Sequence, residues 1–172
     1  MGMGYIYLYY GKGAGKTTTA LGLALRSLGH GRNVLMIQWM KGWKKTGEYR
    51  FQRKSRGYKV KQFGTTGWVD VKNPSEKDKK RAKKALDFAK RVLHRKSPPK
   101  LLILDELGYA AHIGLVNMKD VLAVLRKIPK NTDIVITGRQ VPKALLRRAE
   151  FVNEIRLVKM PKKMVTTPGI QY

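Results

Sequence analysis

The 172-residue chain contains no cysteine. That excludes disulfides, thiolate zinc sites and a cysteine nucleophile. It also lacks any apolar run near the ~18 residues that a membrane-spanning helix needs, and it shows no signal-peptide pattern. A cytoplasmic protein without membrane insertion is therefore expected. Acidic residues are scarce as well: 11 Asp and Glu stand against 37 Lys and Arg, giving a formal net charge of +26. Lysine-rich proteins from hot environments usually balance Lys with Glu. This chain does not, so weak, non-specific binding of nucleic acid is expected of its surface. No repeat, low-complexity segment or break in composition divides the chain. Residues 1–172 read as one domain, with a tail over residues 158–172 that contains Pro161, Pro168 and Gly169.

What the chain does have, near its start, is the stretch Gly11-Lys12-Gly13-Ala14-Gly15-Lys16-Thr17-Thr18. Residues 5–10 before it are aromatic and β-branched and read as a buried strand, while residues 19–26 after it have helical apolar spacing. Strand, glycine-rich turn, Lys-Thr and helix together make a phosphate-binding loop. Its backbone N–H groups curl around an anion, and the helix N-terminus adds partial positive charge. Lys16 is the expected partner of phosphate oxygens and the Thr17 hydroxyl the expected magnesium ligand. The common pattern has four residues between the first glycine and Gly-Lys, but only Lys12-Gly13-Ala14 intervene here. A shorter loop wraps phosphates differently, so γ-phosphate hydrolysis does not follow automatically.

Downstream, residues 34–39 read as a second strand, 49–56 as a short basic helix and 59–63 as a half-exposed third strand. The loop between them carries Trp43 among Lys, Thr and Glu, just past a strand end where open α/β sheets bind ligands. It reads equally as a ligand contact and as a surface loop with one packed tryptophan. The loop 64–69 carries Trp68. A long helix opens at Ser75, a fitting N-cap, and runs to about residue 94. Its stripe is Ala82, Ala85, Leu86, Ala89 and Leu93, and its first turns crowd six basic residues.

Residues 100–106 then form a short apolar strand that ends in Asp105 and Glu106. Opposite a phosphate loop, such a pair suits a magnesium-nucleotide site, with one carboxylate holding the metal through water and the other nearer metal or nucleophile. A helix from Asn117, a strand over 133–137 and a short helix opened by Val141-Pro142 follow, with a last strand over 151–157. Thr137 and Arg139 at the end of the 133–137 strand are candidates to touch phosphate or a second substrate. His112 reads as structural. Strands alternating with helices predict an α/β fold, a mostly parallel sheet with helices on both faces.

These residues together resemble the ATP:corrinoid adenosyltransferases of the P-loop, RecA-like branch. The likeness rests on the short loop, on Arg26-Ser27-Leu28-Gly29-His30-Gly31, Gln38-Trp39-Met40-Lys41-Gly42 and Thr46-Gly47-Glu48, and on Leu104-Asp105-Glu106-Leu107. It continues in Ile134-Val135-Ile136-Thr137-Gly138-Arg139 and in the ending Pro168-Gly169-Ile170-Gln171-Tyr172. The resemblance implies a RecA-like P-loop fold and transfer of the 5′-deoxyadenosyl group of ATP to the cobalt of a reduced corrinoid, with release of tripolyphosphate. It implies that Gly11 to Thr18 bind the nucleotide with Arg26 and Arg139, and that Lys16 and Glu106 are catalytic. Thr17, Glu106 and Asp105 would serve magnesium, with manganese as an alternative ion, Asp105 orienting the metal shell. Trp43 and Trp68 would meet the corrinoid. An electron-donor protein and a homodimer are the implied partners. Two differences stand out: Lys12 replaces a frequent Asn, and Gly67-Trp68-Val69 offers one aromatic where relatives use two. The chain also begins at its first strand, where longer members have an extension that helps cover the corrinoid.

Two other functions fit the residues. One is a RecA-like ATPase that binds nucleic acid through the basic helix from Ser75, and the other is a nucleotide sensor without turnover. Products of ATP cleavage separate all three.

Overall fold

The computed structural model describes residues 4–163 and 165–171. Tyr172, which closes the last motif above, lies outside the described residues. In chain order the elements are β1 (Ile6–Tyr10), α1 (Lys16–Gly29), β2 (Val34–Trp39), α2 (Gly47–Phe51), β3 (Tyr58–Phe63), α3 (Glu76–Leu93), β4 (Leu101–Asp105), α4 (Leu107–His112), α5 (Met118–Leu125), β5 (Asp133–Gly138), α6 (Lys143–Arg148) and β6 (Phe151–Glu154). The strands form one six-stranded sheet in the order β3-β2-β4-β5-β1-β6, with every pairing parallel.

A parallel sheet buried on both faces needs apolar residues at both parities of each strand. The sequence supplies them. Leu102, Leu104, Ile134 and Ile136 point to the side covered by α3, α4, α5 and α6. Val34, Met36, Leu101, Ile103 and Val135 point to the opposite side, where Ala20 and Ala24 of α1 pack. Both alanines are buried, and their small side chains let α1 lie close to the sheet.

The element boundaries follow local chemistry. α1 starts after Gly15, which has a left-handed φ of 102°, and its chain reverses at Gly31 (φ 67°). Ser75 caps α3 by accepting from the Asp78 amide, and Asn117 caps α5 by accepting from the Lys119 amide. Most boundaries shift by one residue from the sequence expectation, and three differ for a visible reason. α2 ends at Phe51, where turns held partly by the Gln52 side chain replace helix. Pro142 stands just outside α6 as its N-cap residue. β6 stops at Glu154 because β1, its one partner among the described residues, ends at Tyr10 and turns into the loop. Among the described residues no helix is long and apolar enough to cross a membrane.

Candidate functional site

In an open parallel sheet the ligand crevice lies at the carboxyl ends of the strands. Four strand ends meet there. β1 leads into the loop 11–15, β2 ends before Lys41, β4 ends in Asp105-Glu106 and β5 ends before Arg139. Two non-glycine residues have left-handed backbone at this rim, Met40 (φ 58°) and Glu106 (φ 64°). Such conformations are uncommon outside glycine and gather at sites the surrounding structure must hold. Here they redirect the chain so that Lys41 and Glu106 project into the crevice rather than along their strands.

Asp105 is the hub. It is fully buried, and both oxygens are engaged. Oδ1 accepts from the Thr17 hydroxyl at 2.9 Å and the Thr137 hydroxyl at 2.7 Å. Oδ2 accepts from Gln38 Nε2 at 3.1 Å and Lys41 Nζ at 2.7 Å. A carboxylate offers about four lone-pair positions, so Asp105 has none left for direct metal ligation. In this arrangement Asp105 fixes Thr17 and Lys41, as suits a carboxylate that orients a metal shell without touching the ion. Burial alone would raise its pKa, but the Lys41 charge and the hydrogen bonds outweigh burial and hold it below the usual carboxylate range. The same pairing raises Lys41 against its own burial. Lys41 Nζ also reaches the Thr17 hydroxyl at 3.3 Å.

Glu106 differs from its neighbour. Its amide donates to the Thr137 hydroxyl at 2.8 Å, but its carboxylate makes no hydrogen bond among the described residues. Burial, then the negative charge of Asp105, pushes its pKa up, opposed by Lys41, Lys16 and Arg139. Lys16 donates to the Gly13 carbonyl at 2.6 Å across the loop. Burial draws its pKa down, helped by Arg139 and Lys41 and resisted by Glu106 and Asp105. Lys16, Glu106 and Arg139 thus lie within electrostatic reach of one another.

Within the loop, Lys12, Ala14, Gly15 and Thr18 are exposed, while Gly11 and Gly13 are buried. A Cβ on Gly11 would overlap the Ile155 carbonyl, and the Gly13 amide donates to that carbonyl at 2.9 Å. These two glycines therefore admit the segment that follows β6, a need separate from phosphate binding. Trp43 and Trp68 come together edge to face with centroids 5.7 Å apart. Trp43 Nε1 donates to the Thr66 carbonyl at 2.8 Å, and Trp68 is 91% exposed.

Two of the candidate contact residues do not face this crevice within the chain. Arg26 lies ten residues beyond Lys16 on α1, roughly 15 Å along the axis. Within one chain it faces Arg32 and Asp133 around a cavity of about 520 Å³ at the opposite end of the sheet. Thr137 points into the buried hub rather than out toward a ligand. Residues that sequence reasoning gave no role are Gln38, Lys41 and Gln62. For Gln38 and Lys41 the signal was a polar side chain near the end of an otherwise apolar strand or just after one; Gln62, in a half-exposed strand with two lysines, offered none.

The comparisons with known proteins agree along the chain. The family model described as ATP:corrinoid adenosyltransferase BtuR/CobO/CobP matches residues 2–172. The corrinoid adenosyltransferase of Escherichia coli (strain K12) is 33% identical over 156 residues, covering 91% of this chain and 78% of that one. The corrinoid adenosyltransferase CobA of Salmonella typhimurium is 34% identical over 158 residues, with 91% and 78% covered. Among solved structures, the flagellar accessory protein FlaH from Methanocaldococcus jannaschii aligns with TM-score 0.60 at 14% identity, covering 95% of this chain and 76% of that one. That likeness concerns the fold alone.

Proposed function

The chain belongs to the ATP:corrinoid adenosyltransferase family and adenosylates corrinoids with ATP, and we propose that its loop 11–18, Lys16 and Glu106 hold the triphosphate as a leaving group. Cobalt(I) donates its electron pair to C5′ of the ribose. The cobalt–carbon bond forms, the C5′–oxygen bond breaks, and that electron pair leaves with the tripolyphosphate. No proton need be moved, so the protein's task is positioning and stabilising charge on the departing chain. The observation that supports this reading is that Lys16, Glu106 and Arg139 stand just past the carboxyl ends of three adjacent strands, β1, β4 and β5, with Thr17 oriented by Asp105.

The donor set suits magnesium, or manganese, shared with a nucleotide. Among the described residues no three His, Cys, Asp or Glu gather to cage an ion. Glu106 has a carboxylate without hydrogen-bond partners, and Thr17 a hydroxyl with a lone pair to give. These two would hold the ion while phosphate and water complete its shell, and the ion would supply neutralising charge. Glu106→Gln is expected to weaken magnesium-dependent turnover by about tenfold to a hundredfold, the range of losses when a metal site is altered. Its urea midpoint should stay near wild type. A variant that kept full magnesium-dependent turnover would remove Glu106 from this role.

The Trp43–Trp68 pair is the proposed corrinoid wall. An exposed indole offers a large rigid face to a macrocycle. Trp68→Ala should raise the corrinoid KM about tenfold, the scale of ~1.4 kcal/mol, with ATP affinity unchanged. Equal damage to ATP affinity would mean that Trp68 serves the nucleotide end instead. For partners we propose an electron-donor protein that supplies cobalt(I) and a second copy of the chain. Nucleic acid should bind weakly and lose affinity steeply with salt. Tight DNA binding at physiological salt that accelerates ATP turnover would favour the nucleic-acid ATPase.

The deciding test is an anaerobic incubation of protein, magnesium, ATP and a chemically reduced corrinoid. A light-sensitive alkyl-cobalt product and tripolyphosphate are expected, with little ADP when corrinoid is omitted. Corrinoid-independent ADP without an adenosylated product would reject the proposal.

A further inference from the structure

The parallel register places three polar side chains in one row. Gln62 of β3 is paired with Gln38 of β2, and Gln38 with Asp105 of β4. Equal register in a parallel sheet puts all three on the same face, and strand parity makes it the face that α1 covers. They are joined by hydrogen bonds. Gln38 Nε2 donates to Asp105 Oδ2 at 3.1 Å, and Gln62 Nε2 donates to Gln38 Oε1 at 2.9 Å. Gln62 Nε2 also donates to the Trp43 carbonyl at 3.2 Å.

The direction of this row is fixed by charge. Asp105 only accepts, and so does Glu48, which takes a second hydrogen bond from Gln38 Nε2 at 3.2 Å. Gln38 must therefore turn its NH2 toward the two acids and its oxygen toward Gln62. Gln62 must then present its own NH2, and its second N–H meets the Trp43 carbonyl. The two loops at that point are packed backbone on backbone. A Cβ on Gly42 would stand 2.7 Å from the Thr65 carbonyl carbon, and one on Gly64 would overlap the Met40 backbone. Trp43 is pinned at its other end by the Thr66 carbonyl, and Trp68 leans on it.

We infer that Gln62 is a positioning residue that ties the tryptophan wall to the buried carboxylate beneath the phosphate loop, so that the corrinoid is presented in fixed register with the nucleotide. The inference rests on the reading of Trp43 and Trp68 as the corrinoid wall. Gln62 touches neither Asp105 nor Lys16 directly; it acts through Gln38 and the Trp43 backbone. Losing it should loosen the wall and leave the nucleotide end intact.

The test uses the full chain with two variants. Gln62→Leu removes the hydrogen bonds at similar size. Gln62→Glu keeps the shape but sets an acceptor against the Gln38 oxygen and the Trp43 carbonyl. Binding of hydroxocobalamin, followed by quenching of tryptophan emission, should weaken about tenfold in both, the scale of one or two lost hydrogen bonds. The corrinoid KM should rise by the same factor, with kcat at saturation and ATP affinity by equilibrium dialysis held within about twofold. Acrylamide should quench tryptophan emission more strongly in both variants without any corrinoid present. Full corrinoid affinity in Gln62→Glu would reduce Gln62 to packing. Equal loss of ATP affinity would place it in the nucleotide site. Either result overturns the inference. If Trp68→Ala bound hydroxocobalamin as wild type does, the wall reading would fail instead. Acrylamide quenching would then still decide whether Gln62 orders the tryptophans.

Discussion

Asp105→Ala is expected to lower folding stability by about 3–5 kcal/mol, the cost of stranding one partner of a buried ion pair. The carboxylate is fully buried and receives four hydrogen bonds. Its removal takes from the half-buried Lys41 its one directly bonded acid, leaving only the more distant charges of Glu106 and Glu48, and it frees the Thr17 hydroxyl to turn away from the crevice. Asp105→Asn should behave almost as badly despite equal size. Its oxygen can still serve the two threonines, but its NH2 then faces Gln38 and Lys41, which are both donors. Lys41→Met should cost less, on the order of 1–3 kcal/mol, because three neutral donors still satisfy the carboxylate. The double variant Asp105→Asn, Lys41→Met should lose less than the two single losses added together, since the contacting residues are coupled. Urea unfolding of the four proteins checks this. A loss below about 1 kcal/mol for Asp105→Ala would match an exposed ion pair and contradict the hub.

How far such a site can be read from sequence depends on whether the information is local. Ser75 as a cap and the stripe from Ala82 to Leu93 are settled within a few residues, and the structure places them as read. The phosphate loop is local too, and so is the apolar run that delivers Asp105 to a strand end. The roles of Asp105, Thr137 and Gln62 are not local. Each depends on the parallel register of β3, β2, β4 and β5, which long-range pairing sets and no single strand encodes. The sequence shows two carboxylates in series. Only the fold shows that one is buried and saturated while the other, turned by a left-handed backbone, makes no side-chain hydrogen bond among the described residues.

Arg26 illustrates the opposite case. It lies in a stretch that matches the family, yet α1 carries it to the far end of the sheet. Proximity in a motif is not proximity in space once a helix intervenes. The glycines show a subtler limit. Gly11 and Gly13 were legible as loop residues, but the approach of Ile155 that also demands them comes from the other end of the chain.

Lys16→Ala is expected to lower adenosyl transfer by at least about 10²–10³-fold, the loss seen when one preorganised charge-stabilising donor is removed. In the proposed reaction negative charge develops on the oxygen leaving C5′ and spreads through the triphosphate. Lys16 extends from the first residue of α1, where the helix N-terminus adds its own positive field. Its nearest protein partner is a loop carbonyl, and its pKa is lowered chiefly by burial. An ammonium held so has more to gain from a polyanion than one in water. The side chain is only partly buried and, among the described residues, pairs with no acid within hydrogen-bonding distance, so folding stability should change by no more than about 1 kcal/mol. Lys16→Arg should not restore the rate. A planar, longer head group cannot occupy the position 2.6 Å from the Gly13 carbonyl without displacing the short loop. The informative measurement is the pair of products. Alkyl-cobalt and tripolyphosphate should fall together in Lys16→Ala, because one bond-breaking event makes both. If the variant kept releasing phosphate from ATP while losing the cobalt product, Lys16 would serve corrinoid placement rather than the leaving group, and the proposed assignment would fail at its central residue.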